Sequence, residues 1–339
     1  MFRYCSSLGF DKHFTAILGF SLLMSGPAVG DQPKFQWPVE CELGTNCWVA
    51  RYLDRQEGKG RGDYSCGKRT QDAHNGTDIA IADLGMMAEG VNVVAAADGV
   101  VHRLRKGMID VRVTAETRDE IMKRGCGNVV ILRHAGGWQT QYCHMKQGSI
   151  EVNEGDRVEA GQAIGQVGLS GLTEFPHLHF MVRAPRSPEH QRRATDPFDG
   201  GRFEDGQCSK QPEPLWDTEQ MYQSVALLPP VIVTERRTRE NMWDPQPAYL
   251  EADSPALIVQ ARGFGALEGD VWRIQLTDPD GEVRVDQTIK QARDRQLIQA
   301  FAGIRKPVAG FKAGTWTTTV NLHRAQHTVK SVSGSIDVR

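Results

Sequence analysis

The sequence predicts a mainly β protein, an antiparallel β-sheet domain followed by a β-sandwich-like C-terminal domain. Three observations carry this. Between Asp78 and Phe180 the chain runs as short apolar stretches punctuated by glycine, at residues 91–97, 100–104, 128–133, 138–144 and 161–168, which is a β-rich pattern. Ala135-Gly136-Gly137 separates two of these stretches and reads as a hairpin turn. Beyond Pro230, Trp272, Ile274 and Leu276 alternate with Arg273 and Gln275, and Trp316, Thr318, Val320 and Leu322 alternate with Thr317, Thr319 and Asn321. Such alternation marks strands with one buried and one wet face, as in an antiparallel sandwich.

The first element along the chain is a leader. Arg3, Lys12 and His13 give a cationic start, and residues 14–24 are an apolar run too short to span a bilayer. Ser25-Gly26-Pro27 ends the run, and Ala28-Val29-Gly30 supplies the small residues a signal peptidase reads, which places cleavage before Asp31. A periplasmic or secreted location is therefore expected. No cysteine follows the apolar run, so lipoprotein processing is not indicated, and no later segment reads as a membrane span. Of seven cysteines, removal of Cys5 with the leader leaves Cys41, Cys47, Cys66, Cys126, Cys143 and Cys208. An even number in an exported chain predicts disulfides, with connectivity open among fifteen arrangements.

Residues 31–69, rich in proline and glycine, read as a disulfide-tied lead-in. Residues 70–215 form the first domain, with one short helix inserted near 116–124. Its tail at 184–215 is rich in proline, glycine and charge and reads as a surface excursion. Residues 230–339 form the second domain. A chain of 339 residues with 40% hydrophobic and 24% charged residues suits about two globular domains. A net charge of −2 argues against nucleic acid as a partner.

Three short stretches hold four of the ten histidines: His74-Asn75-Gly76-Thr77-Asp78, Tyr142-Cys143-His144 and His177-Leu178-His179-Phe180. Residues two apart on a strand share a face. His177 and His179 then point together, with Leu178 and Phe180 towards the core. Ile79 and Ile81 facing the core leaves Asp78 on the open face, and His74 reaches it across the bend at Gly76. Two imidazoles and one carboxylate are a plausible ligand set for catalytic zinc, with a fourth position for water. Spacing alone does not say which of His177 and His179 is the ligand.

Together with Gly127-Asn128-Val129-Val130, the run Gly155 to Gln162 and Gly168-Leu169-Ser170-Gly171, these stretches resemble the catalytic domain of the lysostaphin-type (LytM-like) zinc metalloendopeptidases over about residues 70–183. The resemblance implies His74, Asp78 and His179 as zinc ligands and His144 and His177 as catalytic histidines. It implies an endopeptidase acting on peptidoglycan peptides, with the bond cut left open. No His-Glu-x-x-His helix supplies a glutamate base, so an imidazole takes that role. Either of His144 and His177 accepts or orients the proton of water while the other hydrogen-bonds the oxyanion. Tyr142 and His144 are expected on one strand face and Cys143 on the other. His134 reads as structural, Asp196 as part of a turn, His102 and His190 as lacking a partner pattern, and His323 and His327 as surface residues. The insertion 107–125 is longer than expected for the family and lies where it can wall the groove. Two alternatives stand beside the enzyme: a non-enzymatic relative that binds the wall or activates an amidase, and a binding protein with a structural zinc. The C-terminal domain is left with a protein or glycan partner as its open role.

Overall fold

Strand alternation builds the sheet that carries the predicted site. The strands of the first half are β1 (Cys47–Arg51), β2 (Thr77–Ile81), β3 (Asn92–Val94), β4 (Gly99–Arg105), β5 (Asn128–Arg133), β6 (Gln139–Met145), β7 (Arg157–Val158), β8 (Ala163–Gln166) and β9 (His177–Arg183). Seven of them form one sheet in the order β1-β2-β9-β6-β5-β4-β7, and β3 pairs with β8. Every pairing in both sheets is antiparallel. Ile79, Ile81, Val130, Leu132, Leu178 and Phe180 lie in one buried core with Val93 and Ile164 from the small sheet. The predicted hairpin turn joins β5 to β6 through Ala135–Gly137, and the inserted helix is α2 (Arg118–Met122), after α1 (Leu84–Glu89).

This computed structural model describes residues 33–114, 116–185, 194–203, 206, 208 and 213–339. The expected leader at residues 1–30, its cleavage point and His190 lie outside the described residues. No described helix is long and apolar enough to cross a membrane.

The second half supplies β10 (Ala226–Leu227), β11 (Val231–Val233), β12 (Tyr249–Leu250), β13 (Ala256–Ala266), β14 (Val271–Thr277), β15 (Val283–Lys290), β16 (Arg295–Arg305), β17 (Gly314–Arg324) and β18 (His327–Val338). They form a sheet of β10, β11, β13 and β16 and a sheet ordered β12-β18-β17-β14-β15. Leu257, Val259 and Ala300 from the first share one apolar core with Trp272, Ile274, Trp316, Val320 and Leu322 from the second. Apart from the parallel β12–β18 pair, the pairings are antiparallel.

Two segments are more structural than their composition suggests. The lead-in contributes β1, an edge strand paired to β2, and sends Phe35, Val39 and Tyr52 into the core. The tail expected on the surface is buried over Ala194, Thr195, Asp196, Pro197, Phe198 and Asp199. Its Asp199 is matched rather than solvated, both carboxylate oxygens accepting from Nη1 of buried Arg55 at 2.6 and 2.8 Å. Phe198 stacks on Tyr64 at 5.2 Å. The six cysteines join as Cys41–Cys47, Cys66–Cys208 and Cys126–Cys143. The second ties the lead-in to the tail across 142 residues.

Candidate metal centre and active-site cleft

Asp78 on β2 lies opposite His179 on β9, and His179 lies opposite Cys143 on β6. Alternation sends Ile79, Leu178 and Phe180 into the core and leaves Asp78, His177 and His179 lining a cleft on the other face. His74 arrives from the turn ahead of β2. Gly76 allows the approach, because a Cβ there would lie 2.6 Å from the Phe180 carbonyl oxygen and 2.7 Å from His179 Nε2.

One oxygen of Asp78 is the hub. Oδ1 lies 3.0 Å from His74 Nε2, 2.8 Å from His179 Nδ1 and 3.5 Å from His177 Nε2. One ligand atom from each of His74, Asp78 and His179 lies within 4.8 Å of the others. His74 Nδ1 sits 2.8 Å from the Tyr52 carbonyl oxygen. A carbonyl only accepts, so Nδ1 carries a proton, and in the neutral ring Nε2 keeps its lone pair. That Nε2 is buried without a hydrogen-bond partner. An orphaned lone pair beside a carboxylate oxygen is costly unless a cation sits between them, and a ring whose other nitrogen donates to a carbonyl is the usual form of a metal-bound histidine. The three residues therefore fit a metal ion.

The outer carboxylate oxygen, Oδ2, accepts from Arg51 Nη1 at 3.0 Å. Burial works against ionisation of Asp78, but the adjoining His74, His177 and His179 outweigh it and hold the carboxyl well below its ordinary range. Burial pushes His179 down despite its bond to Asp78. Burial, reinforced by His177 and His179, pushes His144 well down. The environment therefore favours an ionised carboxylate and a neutral His144.

His144 and His177 stand beside this group with ring centroids 4.7 Å apart. His144 Nδ1 lies 2.8 Å from the Ser170 carbonyl oxygen. His177 Nδ1 lies 2.8 Å from the Phe175 carbonyl oxygen and 3.0 Å from Thr173 Oγ1. Both rings thus carry a proton on Nδ1, and in the neutral ring Nε2 is the nitrogen left to accept one.

The route by which His144 reaches the cleft corrects the simple alternation. Tyr142 lies opposite Phe180 and is buried in the core, its hydroxyl accepting from Ala96 N–H at 2.8 Å. Cys143, expected on the other face from His144, lines the cleft beside it. Tyr142 and His144 do not share a face. The cause is a bulge: β6 slips register on β5 between the Asn128–Met145 and Val130–Tyr142 pairs, and His144 takes a left-handed φ of 62°. A bulge inserts one residue and so reverses the facing of the residues beyond it. Ser170 secures it, with Oγ donating to the Met145 carbonyl at 2.7 Å and accepting from Asn128 N–H at 2.9 Å. A side chain at Gly127 would collide with the Ser170 backbone.

The cleft, about 580 Å³, is walled on one side by Val113, Arg118 and Gly125 of the insertion, as its length suggested. Arg239, from the second half of the chain, reaches the cleft and pairs with Glu174. Sequence reasoning missed Arg51 and Arg239, which lie in no motif, and the anchoring carbonyls of Tyr52, Ser170 and Phe175. The Gly-Leu-Ser-Gly segment was visible without its role. His134 stays apart, bonded to the Asp98 carbonyl oxygen and Thr140 Oγ1 at 2.8 and 2.7 Å.

Residues 72–197 match the model of peptidase family M23. The chain is 31% identical over 125 residues to the peptidoglycan DD-endopeptidase ShyA of Vibrio cholerae, covering 37% of this chain and 24% of that protein. It is 34% identical over 116 residues to the DD-carboxypeptidase/endopeptidase Mpg of Neisseria meningitidis, covering 34% of this chain and 21% of that protein. The chain thus spans about a quarter or less of the length of these relatives. Among solved structures, it is similar to the catalytic domain of lysostaphin from Staphylococcus simulans at 24% identity and a TM-score of 0.28, covering 43% of this chain and 86% of that one.

Proposed function

From the premise that residues 72–197 are an M23 peptidase domain, we propose that the chain is a zinc-dependent endopeptidase that hydrolyses peptide bonds of bacterial peptidoglycan. The observation that carries this is the buried His74–Asp78–His179 group with its orphaned imidazole nitrogen, flanked by two histidines whose tautomers are set by carbonyls. In this reading His74, Asp78 and His179 hold the metal. Two imidazoles and one carboxylate are the donor set of an open, catalytic zinc site rather than a closed structural one. Bound zinc supplies Lewis acidity for amide hydrolysis.

His144 and His177 handle the proton. With Nδ1–H committed to a carbonyl, either ring accepts a proton from the attacking water at Nε2 and then returns it to the leaving amine. A ring in this tautomer has no Nε2–H of its own, so it donates a hydrogen bond to the oxyanion only once it is protonated. Proton transfer and oxyanion stabilisation are therefore consecutive duties of the pair. The peptidoglycan substrate is supported by the similarity to ShyA and Mpg. Export to the periplasm or beyond is supported by the leader composition and by three disulfides.

The test is elemental analysis of the purified protein, followed by incubation with purified peptidoglycan with and without a chelator. The expected result is about one zinc per chain and chelator-sensitive release of new amino termini. A zinc-loaded protein that releases none would overturn the enzymatic reading.

A further inference from the structure

Beyond the metal group, the cleft is a basic channel in which Arg118 and Arg183 have no carboxylate partner among the described residues, with Arg183 at the far end of β9. Along β9 the cleft-facing residues are His177, His179, Met181 and Arg183. Four residues at a strand rise of about 3.3 Å separate Arg183 from His179 by about 13 Å. The carboxylates that line the cleft are already matched, Asp78 by Arg51 and Glu174 by Arg239. Arg183 has no such match: its Nη1 donates to Gln141 Oε1 at 2.8 Å, and among the described residues no carboxylate pairs with it.

A half-buried guanidinium held by one neutral acceptor is an incomplete arrangement. Guanidinium carries five donors in a fork suited to carboxylate, and Gln141 occupies only part of it while fixing its direction. Burial pushes the Arg183 guanidinium down from its ordinary value, as expected where desolvation has no anion to offset it.

We propose that Arg183, oriented by Gln141, binds a free carboxylate of the substrate at the end of the cleft remote from the metal group, so that this site selects acidic peptides. The inference rests on the peptidase reading above and narrows its substrate class. An extended peptide advances about 3.3 Å per residue, so the recognised carboxylate lies some three to four residues from the scissile bond.

The test uses matched synthetic stem peptides, with their free carboxylates either intact or converted to carboxamides, on the zinc-loaded full chain. Wild type is expected to favour the acidic peptide in both kcat/KM and binding by about 10- to 100-fold, the worth of a charge-assisted bond. Arg183→Met, which keeps the apolar stem, collapses that ratio towards one, and Arg183→Lys restores part of it. Equal cleavage of both peptides by wild type overturns the inference and leaves the peptidase reading intact. Selective binding without cleavage of either overturns the peptidase reading and leaves carboxylate recognition standing. An acid preference that persists in Arg183→Met overturns the assignment to Arg183.

Discussion

His144 is held by Ser170, whose carbonyl oxygen accepts from its Nδ1–H at 2.8 Å. The hydroxyl of the same Ser170 pins the bulge that carries His144 by bonding Asn128 N–H and the Met145 carbonyl. One residue thus sets both the tautomer of the ring and the backbone that aims it. The Cys126–Cys143 disulfide lies next to this bulge, and His144 N–H donates to the Cys126 carbonyl at 2.8 Å.

In the proposed mechanism this arrangement separates proton handling from metal binding. His144→Ala and His177→Ala are expected to keep zinc and lose turnover by about 10²–10⁴-fold, the usual cost of removing a positioned acid–base group. Zinc content and peptide turnover are measured on the same preparations. Zinc loss from His144→Ala would make it a fourth ligand and move the site towards a closed, structural one.

The ligand group makes the converse prediction. His74→Ala, Asp78→Ala and His179→Ala each remove a proposed metal donor and are expected to lose most bound zinc. Arg51→Met removes the partner of Asp78 Oδ2 and a guanidinium 5.4 Å from the Phe175 ring centroid but no proposed metal donor, so zinc is expected to bind about 10- to 100-fold more weakly, as for other losses of an outer partner. Competition with a chromogenic chelator ranks the four variants. Undiminished affinity in Arg51→Met would show that the carboxylate needs no orienting.

Strand arithmetic made much of the site legible in the sequence. His177, His179 and Asp78 fall on the face opposite Leu178, Phe180, Ile79 and Ile81, and the structure keeps that alternation, the four apolar residues in the core and the other three lining the cleft. Alternation failed at His144, where a bulge intervenes. That bulge depends on contacts with Ser170, 26 residues away, which no local pattern encodes. Arg51 reaches Asp78 across 27 residues from a stretch whose glycines and prolines hide an edge strand. Arg239 comes from the half of the chain whose motifs carry no chemistry, and only the tertiary fold brings it to Glu174. The tail at 194–199 misled through composition, because its Asp199 is matched internally by Arg55 rather than by solvent.

That buried tail has a pH signature. Burial and the neighbouring Asp199 raise the Asp196 carboxyl well above its ordinary value of 3.8. As pH rises above that ordinary value, Asp196 ionises in the unfolded chain while the folded carboxyl keeps its proton. Folding then binds a proton, and the contribution of Asp196 to stability falls as pH climbs to the raised value. Asp196→Asn mimics the protonated carboxyl and is expected to abolish this decline. Urea unfolding of both proteins from mildly acidic to mildly basic pH checks it. Parallel curves for the two would show that Asp196 ionises normally in the fold.

The last prediction tests whether the second half of the chain supports the chemistry. Trp243 is 1% exposed and lies in one cluster with Trp48, Ala80 and Phe175. Its ring is 5.3 Å from Phe175 and 6.2 Å from Phe264, and the Arg262 guanidinium lies 5.3 Å from its centroid. Phe175 in turn contacts the His177 ring at 4.5 Å and accepts its Nδ1–H. Trp243→Ala should cost about 3–5 kcal/mol through the cavity it opens. It should also lower kcat under conditions where the protein remains folded and zinc-loaded, because Phe175 loses the surface that fixes its carbonyl. Trp243→Phe retains most of that surface and should recover most of both losses. The checks are urea unfolding for stability and turnover with zinc content at low temperature. If kcat falls only in proportion to the unfolded fraction, Trp243 stabilises the fold without positioning His177.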